Sequence, residues 1–140
     1  MNDILPTTGR LAGIDYGTVR IGIAITDPDR ILASPYETYR RRNVDADAKY
    51  FKKFAVEENV VGFVVGLPLH LDGRVSEKAK EALEFGEWLR KETGLPAAFR
   101  DERYTSVEAG ELLRGLTNKG KRKRCDQVSA HLILTAYLEQ

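Results

Sequence analysis

The chain has 140 residues, a length that fits one domain spanning residues 1–140. A hydrophobic fraction of 42% supplies a core, and the lone cysteine, Cys125, excludes an internal disulfide. The net charge of only +1 excludes any argument for a nucleic-acid partner from overall basicity, so an electrostatic case has to rest on local clustering.

Residues 1–9 read as a loose lead-in. The segment MNDILPTTGR has neither a basic start nor an apolar signal core, and no apolar run is long enough to cross a bilayer. The expected compartment is therefore the cytoplasm, with no membrane partner, and a single cysteine suits its reducing conditions. The first strand is predicted over Leu11–Asp15, with Gly17 and Thr18 marking a turn. Ile21, Ile23 and Ile25 alternate with small or polar residues, which predicts a strand over Ile21–Thr26. Asp27-Pro28-Asp29 is a turn signal. A third strand is expected over Ile31–Tyr39, where Pro35 points to an edge or a bulge.

The pattern then changes. Asp45–Asn59 reads as a helix with Ala48, Phe51, Phe54 and Ala55 on one stripe. Val60–Val65 is a near-continuous apolar run, the mark of a buried central strand, closed by Gly66-Leu67-Pro68. After a loop with Asp72-Gly73 at its turn, a long helix is predicted near Ser76–Thr93. Ala79, Ala82, Leu83, Gly86 and Leu89 form its stripe, and Gly94 is its stop. Ala97–Arg100 is a short strand leading to Asp101 and Glu102. Thr105 and Glu108 make a capping box that opens a further helix. A basic loop, Lys119–Arg124, precedes a final helix over Asp126–Leu138 that is apolar on most sides. The order βββαβαβαα implies an α/β fold: a five-stranded mixed sheet with helices on both faces. By analogy that order resembles the RNase H-like arrangement.

Chemistry in open sheets gathers at strand ends. Asp15 ends the first strand, Glu102 follows the last, and Asp126 opens the final helix directly after the basic run. Three acids from distant parts of the chain can meet there, and oxygen ligands of this kind suit Mg²⁺ or Mn²⁺. Two such ions about 4 Å apart clamp the attacking and leaving oxygens of a phosphodiester. Each acid also has a structural reading. Asp15 reads as a turn former, Asp126 as a helix N-cap, and Glu102 as a surface charge beside Arg103 with Asp101 as a rival ligand.

The surrounding words point to a family. Gly13-Ile14-Asp15-Tyr16-Gly17-Thr18-Val19-Arg20-Ile21-Gly22 resembles the opening signature of the YqgF/RuvX family of pre-16S rRNA nucleases and Holliday junction resolvases. Val65-Gly66-Leu67-Pro68-Leu69 with Asp72-Gly73 resembles its second block, and Asp101-Glu102-Arg103-Tyr104-Thr105-Ser106 with Glu108-Ala109 its third. Asp126 with Ala130, Leu132-Ile133-Leu134 and Tyr137-Leu138 resembles the fourth. The four blocks occur in order across nearly the whole chain. The resemblance implies an RNase H-like nuclease, carries the acidic roles onto Asp15, Glu102 and Asp126, and favours Glu102 over Asp101. Departures from the family pattern are Tyr104, Ser106, Ser129 and His70, none of which removes an acid. Resolvases of this fold usually carry an acid at the end of the fourth strand, where this chain has Gly66-Leu67-Pro68, so Glu102 has to substitute.

Substrate contacts are expected from Gly17, Thr18, Arg20 and Arg103 within the motifs, and from Lys119, Lys121, Arg122, Lys123 and Arg124. That last run holds five cations in six positions and reads either as a phosphate-binding flap or as a solvated loop. Arg40-Arg41-Arg42 is a second cluster whose relation to the acids the sequence does not fix. Arg103 is equally a partner for Asp101, and Gly17 and Gly22 equally serve turn geometry and packing. Cys125 has no His–Asn arrangement around it and reads as inert; His131 reads as structural and His70 as a weak positioning candidate. Trp88, Phe51 and Phe54 read as core.

Structured RNA is the preferred partner and the 5′ region of precursor 16S rRNA the preferred substrate, with branched DNA, the substrate of a Holliday junction resolvase, as the alternative. No spare apolar helix suggests a dimer, so a monomer is favoured. A non-catalytic nucleic-acid-binding module would not need converging acids. An ATPase related to actin and the sugar kinases would need a second Asp-x-Gly loop and a second domain.

Overall fold

In a computed structural model the described residues are 4–67, 76–101 and 118–139, with the backbone alone for 118–126. Strands β1 (Arg10–Asp15), β2 (Arg20–Thr26), β3 (Ala33–Arg40), β4 (Val60–Leu67) and β5 (Ala97–Asp101) form one sheet in the order β3-β2-β1-β4-β5. β1 pairs antiparallel with β2, and β2 with β3, while β4 runs parallel to both β1 and β5. The expected mixed sheet is therefore present, with RNase H-like strand order.

The edge strand β3 carries the bulge that Pro35 foretold. Ile23 pairs with Glu37 and Ala24 with Pro35, so Tyr36 is the extra residue. A proline has no N–H to give a ladder, and at an edge none is missed. The strand starts at Ala33 rather than Ile31 because Leu32 belongs to the preceding turn. Its N–H donates to Asp27 Oδ1 at 2.9 Å, and its carbonyl accepts from Asp27 N–H at 3.2 Å.

Helix α1 (Val44–Glu57) is opened by Asn43, whose Oδ1 accepts from Ala46 N–H at 2.8 Å. It stops two residues earlier than expected, since Asn59 adopts a left-handed conformation with φ 56°. Helix α2 (Glu77–Thr93) is capped by Ser76 and ended by left-handed Gly94. Its buried stripe is Ala79, Ala82, Phe85, Gly86 and Leu89. Phe85 takes the place expected for Leu83, which is half-buried.

The last helix, α3 (Asn118–Leu138), corrects the sequence reading. Lys119–Arg124 is helical, not a loop, and Asp126 lies more than two turns inside the helix rather than at its start, so it is not the N-cap. Lysine and arginine are good helix formers, and one interior glycine, Gly120, costs only about 1 kcal/mol. The helix expected after Thr105 falls outside the described residues, as do Glu102, Arg103, His70 and the loop around Asp72-Gly73.

Strand alternation sends side chains to two cores. Ala12, Ile14, Phe63, Val65 and Ala97 pack with α1 and α2 through Phe51, Phe54, Phe85 and Leu89. Leu11, Ala24, Val64 and Ala98 pack on the other face with Ala130, Ile133 and Leu134 of α3. Among residues 4–9 of the expected lead-in, Leu5 is buried in this second core. Arg30 holds the same segment, donating from Nε to the Gly9 carbonyl at 2.7 Å.

Candidate functional site

The two-residue period of a strand fixes which face each acid occupies. Leu11 lies in the core under α3, so Gly13 and Asp15 share that face. A Cβ on Gly13 would lie 2.7 Å from the Ala130 carbonyl oxygen and 2.6 Å from Leu134 Cγ. The missing side chain at Gly13 is thus what lets α3 cross β1 in near-backbone contact. Position 126 is one turn before Ala130, about 6 Å along the helix axis, and shares the stripe of Ala130, Ile133 and Tyr137 by spacing. At the adjoining end of β3, Gln127 Nε2 donates to Thr38 Oγ1 at 3.2 Å. Thr38 pairs with Gly22, and Gly22 pairs with Asp15. The backbone at Asp126 therefore approaches the row of the sheet that holds Asp15.

Asp15 is half-buried, and its neighbours on both sides are glycines. Gly22 faces it from β2. Ile14 pairs with Val65, so the next residue of β4, Gly66, flanks it on the other side. Within the sheet, the positions beside Asp15 on both neighbouring strands are thus glycines. The same alternation sets the face of Asp101, which ends β5. Ala98 lies in the α3 core, whereas Ala97 and Phe99 pack on the α1/α2 face. Asp101, the last residue of β5, continues the Ala97–Phe99 side, the face opposite Asp15.

A cavity of about 380 Å³ opens beside Asp15, lined by Asp15 through Arg20 together with Lys78 and Glu81 of α2. Lys78 and Glu81 line this cavity and are not singled out by the sequence reading; only the return of α2 to the β1–β2 turn brings them here. Gly17 is dictated by that turn, because a Cβ there would come within 2.2 Å of the Arg20 carbonyl oxygen. Thr18 is exposed and Arg20 half-buried.

Behind the turn lies a polar network. Asp47, only 2% exposed, accepts from Tyr39 Oη at 2.7 Å, Arg42 N–H at 3.0 Å and Arg41 Nε at 3.2 Å. Arg41 also donates from Nη1 to Tyr16 Oη at 3.2 Å, and its guanidinium sits 5.5 Å from the ring centres of Tyr16 and Phe85. Its backbone N–H donates to the Val19 carbonyl at 2.9 Å. Burial pushes the Asp47 carboxyl up, but the donors from Tyr39, Arg42 and Arg41 outweigh burial and hold it below the ordinary carboxylate range. Burial, then the hydrogen bond to Asp47, pushes the Tyr39 hydroxyl up to about 12. Of the arginine triplet, Arg41 is therefore a brace under Tyr16 and the turn, whereas Arg40 and Arg42 are exposed.

Of the three expected ligands, the structure describes Asp15 fully and Asp126 by backbone, while Glu102 lies outside the described residues. Among the described residues no three His, Cys, Asp or Glu side chains gather as a metal site. Cys125 is placed by its backbone in α3. His131 is half-buried on the same helix, and Trp88 packs on Phe85 as expected for core. No helix among the described residues is long and apolar enough to cross a membrane.

Comparison with known proteins follows the same lines. A family model described as "RuvX: Holliday junction resolvase" matches residues 9–140. A protein of Rhodopirellula baltica named "Putative pre-16S rRNA nuclease" is 50% identical over 139 residues, covering 98% of this chain and 80% of that one. A protein of the same name from Koribacter versatilis is 41% identical over 134 residues, covering 94% and 88%. Among solved structures, RuvC of Thermus thermophilus superposes with a TM-score of 0.57 at 13% identity, covering 93% of this chain and 96% of that one, which shows a shared RNase H-like fold.

Proposed function

The chain belongs to the RuvX family, and from that membership we propose that it is a divalent-metal-dependent nuclease. The observation that carries the reading is the setting of Asp15. Its carboxylate ends β1 between two glycines, on the face that α3 crosses at Gly13 with position 126 one turn upstream. Asp15, Glu102 and Asp126 are the residues that would hold the metal, with Glu102 preferred over Asp101 on family resemblance. A donor set of carboxylate oxygens without histidine or cysteine fits the hard cations Mg²⁺ and Mn²⁺. When bound, such ions supply an activated water and stabilise charge on the phosphodiester oxygens. Arg20 and the backbone of Gly17 and Thr18 border the cavity where a scissile phosphate would approach Asp15. Arg103 and the cations Lys119, Lys121, Arg122, Lys123 and Arg124 supply further phosphate contacts, the latter as a helical stretch of α3.

The substrate we favour is structured RNA, namely the 5′ region of precursor 16S rRNA. The relatives that carry that name match this chain at 41–50% identity over most of its length, whereas RuvC shares the fold at 13%. Burial of Ala130, Ile133 and Leu134 against the sheet commits that part of the apolar stripe of α3 to the core, which favours a monomer acting on one strand. The family description supports a second reading, resolution of Holliday junctions by a dimer. Cleavage of precursor rRNA, single strands and four-way junctions, paired with sedimentation of each complex, separates the two. A monomer that trims precursor rRNA is expected. A tight dimer making paired symmetric cuts in junctions, and none in rRNA, would reverse the preference.

A further inference from the structure

A second cavity, of about 300 Å³, adjoins the one beside Asp15 and shares Tyr16 and Glu81 with it. It lies between the start of α1 at Val44 and the middle of α2. Three rings form its apolar wall. The centres of Tyr16 and Phe85 are 5.2 Å apart, and those of Phe85 and Trp88 5.4 Å. Tyr16 and Phe85 are buried, whereas Trp88 is half-buried. Arg41 also lines the cavity. Its bonds to Asp47 and Tyr16 fix the guanidinium through Nε and Nη1 and leave the Nη2 donors unused among the described residues.

Three of the five acids of α2 are ion-paired: Glu77 with Lys80, Glu87 with Arg90 and Glu92 with Lys52. The two that line the aromatic cavity, Glu81 and Glu84, are exposed and have no ion-pair or hydrogen-bond partner among the described residues. Lys80, within reach of Glu84 by spacing, pairs with Glu77 instead. Two carboxylates repel phosphate, so the cavity suits a base and not the backbone of a strand. Ionised carboxylates only accept hydrogen bonds and match a base edge that presents donors. Guanine sets N1–H and its 2-amino group side by side, with the O6 acceptor next to them for a guanidinium. Adenine and cytosine place a ring-nitrogen acceptor beside the amino group, and uracil flanks its N3–H with carbonyls, so each brings an acceptor against the carboxylate. Aromatic side chains take an unstacked base by its face.

We propose that this cavity is a base-recognition subsite for one unstacked guanine of the bound strand, stacked on Trp88 and held at its Watson–Crick edge by Glu81 and Glu84. The subsite rests on the nuclease reading and sets which nucleotide lies beside the phosphate at Asp15. Trp88 is the only tryptophan of the chain, so its fluorescence reports on the subsite directly. The test titrates the full chain in Ca²⁺ with short oligouridylates that carry one central guanosine, inosine or adenosine, each checked for intactness afterwards. The guanosine strand should quench Trp88 and bind about fivefold or more tighter than the adenosine and all-uridine strands, the lower end of what one good bidentate base contact gives. Inosine, which lacks the 2-amino group, should fall between. In the double variant Glu81→Gln/Glu84→Gln that preference should collapse, while the all-uridine strand binds as well as before or better, because two charges that repel phosphate are gone. Guanosine monophosphate alone should bind far more weakly than the guanosine strand, which also meets the cavity of Asp15. Equal affinity of the free nucleotide would overturn the assignment to the strand. Equal binding of all strands by the wild type, or a guanosine preference that survives in the double variant, would overturn the subsite and leave the nuclease reading standing. Absence of wild-type binding to single-stranded RNA, precursor rRNA and junctions alike would remove the nuclease reading and the subsite with it.

Discussion

Gly13→Ala tests whether the crossing of α3 over β1 builds the site. The new Cβ would lie 2.7 Å from the Ala130 carbonyl oxygen, and ordinary contact begins near 3.4 Å, so the helix has to retreat by about 0.7 Å. Leu134 Cγ, at 2.6 Å, can turn aside, but a backbone oxygen moves only with its helix. Overpacking of this kind costs about 1–3 kcal/mol. Replacing glycine returns about 0.4–1 kcal/mol by restricting the unfolded chain. The net loss is then about 1–2 kcal/mol, or roughly 3–8 °C in Tm for a chain of this size. The effect on activity should be larger than stability alone implies, because α3 carries Asp126 and a displacement of about 1 Å at a reacting site can cost 100-fold. Thermal unfolding followed by circular dichroism, beside cleavage assayed at least 15 °C below the transition, measures both. A Gly13→Ala protein with unchanged Tm and full activity would refute the close crossing and the placement of Asp126 that depends on it.

Asp47→Ala should cost about 3 kcal/mol at pH 7, since it strands the Tyr39 hydroxyl, the Arg42 N–H and the Arg41 guanidinium; urea denaturation checks this. Because the folded Asp47 carboxyl lies below its unfolded value, its stabilisation is complete above about pH 4 and is lost as pH falls through the folded value. Stability measured from pH 7 down to 2 should therefore show a shallower acid decline in Asp47→Asn than in wild type. Replacing Lys121, Arg122, Lys123 and Arg124 together with alanine should keep the helix, since alanine is the best helix former, while lowering the salt slope of RNA binding by about 0.7 for each phosphate that is no longer neutralised. Equal helicity by circular dichroism with an unchanged slope would assign those cations to solvent.

Local chemistry made most of the fold legible in sequence. Val60–Val65 is apolar enough to declare a central strand, and Ser76 and Gly94 bracket α2 by cap chemistry that needs no tertiary partner. Pro35 pointed to the irregular edge because its missing N–H restricts where it can sit. The start of α3 was misread because charge density resembles a solvated loop, although the side chains that carry it favour helix. Leu83 and Phe85 both satisfy a loose helical period, and only the ring contacts of Phe85 with Tyr16, Phe51 and Trp88 decide between them. The position of Asp15 at the end of its strand is readable from the sequence. The roles of Lys78, Arg41 and Asp47 depend on how α2 and the β3–α1 corner fold back on the first turn, which no local pattern encodes. The choice between Asp101 and Glu102 rests on family resemblance; strand alternation gives the face of Asp101, and Glu102 lies outside the described residues.

Shared metal ligation by carboxylates from three segments is tested most directly by metal-dependent cleavage of precursor rRNA by the wild type, by Asp15→Asn and Asp126→Asn, and by the double variant. Each single change should remove most activity while Tm stays within a few degrees. The double variant should be no slower than the worse single, because groups that act on one site lose their effect together. Titration with Mg²⁺ or Mn²⁺ should restore wild-type activity after EDTA and fail to restore either variant at the same concentration. Full cleavage in EDTA, or by Asp15→Asn, would contradict the assignment.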